Sequence, residues 1–213
     1  GGESALGALQ SDAGYRAHFM DAVFWLPYVR QVCQREGLTD NPDVGTGLAG
    51  TFPTFLVNKR WVIKFFGTNF GGDLAFQSEL GANTLISTVQ GFPAPALLHV
   101  GQLFPNPTDW PWPYLVFEFV TGVSVGEVFE QVGRADKRLM AAWLARVTLQ
   151  LHKIQPPENS VHPQARAAYS ALLRHRYPRC KQIQQDRGTL PAHLVEQIDA
   201  WLPSLAELLE PAG

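Results

Sequence analysis

The sequence predicts an α+β fold: a small antiparallel β-sheet lobe with a helix, followed by the start of a mostly helical lobe. Three observations predict it. Aromatic and β-branched runs bounded by turn residues are confined to the part before Thr121-Gly122. After that point, apolar residues recur at spacings of three and four. The hydrophobic fraction of 46% over 213 residues is enough to fill a core, as one large domain or two small lobes. The organisation expected is a helical lead-in at 1–40, a β-rich small lobe at 41–122, and an incomplete helical large lobe at 123–213.

In the lead-in, Asp21 to Gly37 reads as an amphipathic helix that starts near Asp21 or the turn at Pro27 and stops at Gly37. Thr39 to Gly50 is polar and rich in Gly, Asn and Pro, so it reads as a loop. Phe52 to Val57 and Arg60 to Phe66 flank a short Asn58-Lys59 turn and read as a hairpin, with Pro53 at its edge or loop end. Alternation puts Trp61, Ile63 and Phe65 on one face of the second strand and Val62, Lys64 and Phe66 on the other. Asp73 to Val89 has helical spacing in Phe76, Leu80, Ala82, Leu85 and Ile86, and Gly91 and Pro93 end it. Strands at Ala96 to Phe104 and Tyr114 to Val120 follow, joined by a loop holding Pro105, Pro107, Pro111 and Pro113 with Trp110 and Trp112.

Beyond residue 122, Asp136 is placed to cap a helix whose inner face is Met140, Trp143, Leu144, Val147, Leu151 and Ile154, ended by Pro156-Pro157. A basic helical segment runs from about Gln164 to Gln185. A third helix begins at Pro191 with Leu194, Ile198, Trp201 and Leu202 inward.

Composition excludes some functions. With 17 Lys and Arg against 19 Asp and Glu, the net charge of -2 argues against nucleic-acid or anionic-membrane binding by bulk charge. Cys33 and Cys180 stand far apart and outside any CxxC pattern, which indicates neither a zinc site nor a disulfide framework. Even an apolar stretch as long as Ala22 to Val29 falls far short of the roughly 20 residues a bilayer span needs. The first residues do not read as a signal peptide, and none is expected. A soluble, cytoplasmic protein is expected. Gly1-Gly2 at one end and Leu208 to Gly213 at the other suggest a piece of a longer protein.

Lys64 is the first candidate for chemistry, because an ammonium among apolar strand neighbours needs an anionic partner. Glu79, on the next helix, is the best candidate, and a strand Lys paired with a helix Glu holds nucleotide phosphates in kinases. The alternative is an edge-strand Lys snorkelling to water beside an unrelated, solvent-facing Glu. Upstream, Gly45-Thr46-Gly47-Leu48-Ala49-Gly50 is a literal GxGxxG. A dinucleotide-binding reading fails on both flanks, since Asn41-Pro42-Asp43 precedes the motif and a strand follows it. Strand, glycine loop, strand, Lys is the order of a loop whose backbone N–H groups cover phosphates. An ordinary flexible loop is the alternative.

Five features in order carry a resemblance: Gly50 to Val57, Trp61-Val-Ile-Lys-Phe65, Phe76-Gln-Ser-Glu-Leu80, Phe92 to Gly101 with its Pro-Ala-Pro-Ala-Leu-Leu entry, and Trp112 to Gly122. Together they resemble the nucleotide loop, lysine strand, glutamate helix, strand entry and hinge of the aminoglycoside phosphotransferase superfamily, a protein-kinase-like fold that includes choline, homoserine and fructosamine kinases. Leu149-Gln-Leu-His152 and Gly188-Thr-Leu-Pro191 resemble its large-lobe segments. The resemblance implies an ATP-dependent phosphotransferase moving a γ-phosphoryl group to a small-molecule hydroxyl. Adenine would meet main-chain groups of Glu118 and Val120, Gly50 and Thr51 would belong to the nucleotide loop, and Lys64 would hold the phosphates steadied by Glu79. His152 reads as a packed structural histidine.

The catalytic loop of that family, a His-x-Asp with an Asn five residues after the Asp, is absent, as is the following metal-binding Asp. The chain ends about where that loop would begin. No catalytic or metal-binding residue is therefore expected here, the ligands for Mg²⁺ are expected outside this chain, and the chain alone is expected to be inactive. The competing reading is a non-catalytic, pseudokinase-like module that binds nucleotide or protein. The basic cluster Arg166, Arg174, His175, Arg176, Arg179, Lys181 and Arg187 reads as a solvated helix face. Acidic walls for a polycationic acceptor are lacking, so the substrate in the family name does not carry over. A truncated helical lobe is expected to self-associate or to need a missing C-terminal segment to cover it.

Overall fold

The structure, a computed structural model, describes residues 6–48, 50–104, 110–154 and 163–209, with the side chains of 163–166 left out. Ala49, Pro105, Pro107, the Pro156-Pro157 stop and the terminal Glu210 to Gly213 lie outside the described residues, as does the side chain of Arg166. The chain divides into two compact units, 1–160 and 161–213.

In the first unit, a 3-10 turn at Gly7–Gln10 leads into helices α1 (Asp12–His18) and α2 (Ala22–Arg35). The Asp21 carboxylate accepts from the N–H groups of Val23 and Phe24, so α2 starts there and Pro27 sits inside the helix. Trp25, Tyr28, Val29, Val32 and Cys33 form its buried stripe at helical spacing.

Five antiparallel strands follow in the spatial order β1-β2-β3-β5-β4: β1 (Val44–Thr46), β2 (Thr54–Val57), β3 (Trp61–Phe65), β4 (Leu97–Gln102) and β5 (Pro113–Glu118). Strand β1 corrects the expectation of a loop throughout Thr39–Gly50. It is a three-residue edge strand paired only with β2, too short and polar to show alternation. Phe52, expected in the hairpin strand, lies instead in the turn before β2, and Pro53 stands at the loop end of that strand. Asn58 and Lys59 both have positive φ, 52° and 51°, the backbone that closes a tight hairpin with the twist of its strands.

Helix α2 covers one face of the sheet, where Trp25 stacks on Phe65 at 4.7 Å and meets Trp112 edge-on at 5.5 Å. Burying each large side chain of this core contributes about 1.5–3 kcal/mol. Helix α3 (Gly72–Ser87) covers the other face through a smaller cluster of Phe52, Phe66, Phe76 and Leu115. The unit ends with a single turn, α4 (Val125–Val128), closed by the reciprocal Ser124 and Glu127 cap, and with α5 (Arg134–His152).

Two expectations fail in α5. Gly133, not Asp136, stands at the N-cap, leaving Asp136 in the first turn. His152 is exposed rather than packed; along the apolar stripe Met140, Val147 and Ile154 are half-buried, whereas Trp143 is 45% and Leu144 53% exposed.

In the second unit, α6 (Pro163–Arg176) and α7 (Cys180–Arg187) replace the single basic helix expected, because Pro178 sits in a 3-10 turn between them. Short helices α8 (Ala192–Glu196), α9 (Ile198–Trp201) and α10 (Leu205–Leu209) follow. Val195 and Ile198 are buried there, whereas Trp201, expected inward, is 59% exposed.

Candidate functional site

Strand β3 is central, with Lys64 facing Thr54 of β2 on one side and Leu115 of β5 on the other. Its neighbours Ile63 and Phe65 bury themselves under α2, so alternation turns Lys64 toward α3. There its Nζ lies 2.5 Å from the Glu79 Oε2, with the two side chains 24% and 28% exposed. The rings of Phe66 and Phe52 flank the ammonium, their centroids 5.2 and 5.8 Å away. Ring faces are electron-rich, so they tolerate a cation whose hydration they displace, and Glu79 supplies the counter-charge. The remaining exposure leaves the ammonium a side from which an anion can approach. A solvent-facing Lys beside an unrelated Glu is thereby excluded.

The glycine-rich segment straddles β1 and its turn. Gly45 pairs in the strand, and the Gly47 amide donates to the Thr54 carbonyl at 2.8 Å. A Cβ on Gly47 would stand 2.8 Å from the Thr54 methyl, so close packing on β2 already requires this glycine. A Cβ on Gly50, in contrast, would meet only the Leu48 carbonyl at 4.0 Å, and Gly50 and Thr51 are both exposed. Phe52 follows directly and carries the turn onto the Lys64 cluster.

At the end of β5 Glu118 and Val120, the residues expected to meet adenine, differ. The Glu118 amide donates to the Ala96 carbonyl at 2.9 Å and is not available to a ligand. Val120 is 62% exposed, and its main-chain groups enter no hydrogen bond among the described residues. With Leu115 opposite Lys64, Glu118 lies about 10 Å further along the strand.

The site's donors fit a phosphate-bearing ligand: a neutralised but accessible ammonium, next to a turn whose main chain is open at Gly50. They do not fit a divalent metal. Among the described residues, no three His, Cys, Asp or Glu side chains come together as a metal-binding group. A cavity of about 460 Å³ lined by Leu85, Thr88, Val89, Gln150, Lys153 and Ile154 includes neither Lys64 nor Glu79. Arg174, His175, Arg176, Arg179 and Arg187 are exposed, and Lys181 is paired with Asp199 at 2.9 Å. No helix of the described residues is long and apolar enough to cross a membrane.

Sequence reasoning missed two contributors. Phe52 falls within the Gly50 to Val57 segment that resembles the nucleotide loop, but its place beside the Lys64 ammonium has no signal in the strand alternation. Tyr15, whose hydroxyl donates to the Thr51 carbonyl, had no local signal, because its partner lies 36 residues away. Residues 48–212 match the sequence profile of the phosphotransferase enzyme family, covering the turn, the Lys64 strand and the Glu79 helix. The antiparallel sheet, the strand lysine held by a helix glutamate, and that match make the chain a member of this kinase-like phosphotransferase family.

Proposed function

We propose that this chain carries the nucleotide lobe and the start of the helical lobe of an ATP-dependent small-molecule phosphotransferase. The observation that carries the reading is the Lys64–Glu79 pair, three-quarters buried between two aromatic rings in a chain of this family. Glu79 holds the ammonium in place, and Lys64 meets phosphate oxygens as a point charge. Gly50 and Thr51 offer main chain to the phosphates, and Val120 offers free main-chain groups to the base. The Glu118 amide is committed to Ala96, which leaves Val120 as the hinge residue with an open donor.

Bound ATP would supply the phosphoryl group that passes to a hydroxyl. The hydroxyl's proton needs a carboxylate base, and the sequence contains no His-x-Asp and Asn pattern to provide one. On this reading the base comes from sequence outside this chain, and a non-catalytic, pseudokinase-like module that binds nucleotide or protein is the alternative. We place the protein in the cytoplasm, where ATP is abundant, and take its partners to be a nucleotide and a small hydroxyl compound.

Thermal unfolding with and without ATP and Mg²⁺ tests the reading. Ligand at a hundred times its Kd stabilises by about 2.7 kcal/mol. For a chain of this size that raises Tm by roughly 5–11 °C. The shift is expected in the native sequence and is expected to fall at least several-fold in Lys64→Met. No shift in the native sequence at millimolar nucleotide would overturn the proposal. A shift without phosphoryl transfer to any hydroxyl supports the binding module.

A further inference from the structure

We infer that Tyr15 is a positioning residue: through its hydroxyl, the N-terminal helical segment tethers the β1–β2 turn that carries Thr51 and Phe52. Its consequence for nucleotide rests on the function proposed above, whereas the tether itself does not. The residues responsible precede the 48–212 family match.

Helix α1 is fixed in rotation by its cap, where the Ser11 hydroxyl accepts from the Gly14 N–H at 3.1 Å. Tyr15 follows one turn on and is buried, 5% exposed. Its ring stacks on Phe19 at 5.4 Å and meets the edge of Phe70 at 5.5 Å, so the direction of its hydroxyl is determined by packing. Burial pushes the phenol up to about 12, which keeps the proton on oxygen across the physiological range. A protonated phenol donates, and the Thr51 carbonyl accepts.

A second attachment holds the same segment. The Asn69 side-chain amide donates to the Leu9 carbonyl at 2.7 Å, and Leu6 and Leu9 are sealed in the core. The segment therefore grips both the turn after β1 and the turn after β3.

The turn needs such a grip. Leu48 is 78% exposed and Gly50 and Thr51 are exposed, so little packing holds this main chain before Phe52. Fixing the Thr51 carbonyl fixes the next residue, Phe52, whose ring stands 5.8 Å from the Lys64 ammonium. Tyr15 thus acts on Lys64 through Thr51 and Phe52, without touching it.

Hydrogen exchange of the intact, nucleotide-free protein tests this, reading the protected amides at the base of the β1–β2 turn, among them that of Gly47, which donates to the Thr54 carbonyl. Tyr15→Phe deletes only the hydroxyl and is expected to speed their exchange roughly five-fold, the effect of one lost hydrogen bond. Tyr114→Phe is the control: it deletes a comparably buried hydroxyl of the same core, bonded to Glu36 at the end of α2 and not to the β1–β2 turn. The control is expected to lower Tm comparably and to leave those amides unchanged. Asn69→Ala, which loosens the second attachment, is expected to give a smaller rise at the same amides. Unchanged exchange in Tyr15→Phe, or an equal rise in Tyr114→Phe, overturns the inference. If Tyr15→Phe speeds exchange but the native protein shows no ATP-dependent Tm shift, the tether stands and the nucleotide function falls.

Discussion

Replacing Glu79 by Gln removes one charge from beside Lys64 while preserving shape, and replacing Lys64 by Met removes the other. Together they form a double-mutant cycle on the 2.5 Å contact. Exposed pairs couple by about 0.2–1 kcal/mol, and breaking a fully buried pair costs roughly 3–5 kcal/mol. With side-chain exposures of 24% and 28%, this pair lies between those limits, and solvent screening pulls it toward the lower one. A coupling of about 1–2 kcal/mol is expected. The assay is hydrogen exchange of β3 and β5 amides, which reports opening of the sheet and not of the helices in 161–213. Because the pair is three-quarters buried and flanked by the rings of Phe52 and Phe66, about 0.5 M salt is expected to weaken the coupling without abolishing it. A coupling under about 0.5 kcal/mol, or one abolished by salt, would mean that Lys64 reaches water and that Glu79 does not hold it.

Two further outcomes follow from single groups. The Asp21 carboxyl is held below its ordinary 3.8 chiefly by the Phe24 amide, then by that of Val23 and by His18. Its cap is therefore fully present above the ordinary value and lost as pH falls through the lower folded value. Asp21→Asn is expected to keep the cap and erase that acid dependence, read as helicity against pH, and an unchanged profile would contradict the assignment. Burial pushes the Cys33 thiol up to about 11, while Cys180 is half-buried. One thiol, that of Cys180, is expected to react with an alkylating reagent near pH 8 in the native protein and two in denaturant. Labelling of native Cys33 would show that the α2 face of the core opens.

What was legible in the sequence is what has a period. The alternation in Trp61–Phe65 separated the two faces of β3 and put Lys64 with Phe66, and the structure builds one core on each face. The helix carrying Glu79 followed from spacing in the same way. Periodicity identifies which residues share a face but not what covers that face. The stripe on α5 is real as a stripe, yet Leu144 remains 53% exposed among the described residues. Strand β1 escaped because three residues cannot show a period, and its pairing with β2 supplies what its composition lacks. The Tyr15–Thr51 bond escaped because nothing local encodes a contact between a lead-in helix and a turn 36 residues away.

Glu79 reaches Lys64 because the backbone between them is pinned where α3 begins. The Phe66 amide donates to the Pro113 carbonyl at 2.8 Å, and the Trp110 indole N–H donates to the Phe66 carbonyl at 2.8 Å. Gly67 lies under the Trp112 ring, where an added Cβ would stand 2.8 Å from it. Gly72, the first residue of α3, presses on the Gly67 carbonyl so closely that a Cβ would stand 1.6 Å from the oxygen. Its φ of -55° is ordinary, so space and not conformation requires glycine here. Seven residues separate Gly72 from Glu79, and an α-helix turns through about 700° and rises about 10.5 Å over that length, nearly two full turns. The helix face that touches Gly67 at its start is therefore the face that presents Glu79 two turns later. One residue inserted between them would swing the carboxylate by about 100° and part the pair without unwinding the helix. The close approach of Gly72 to Gly67 thus sets the phase on which the Lys64–Glu79 contact depends.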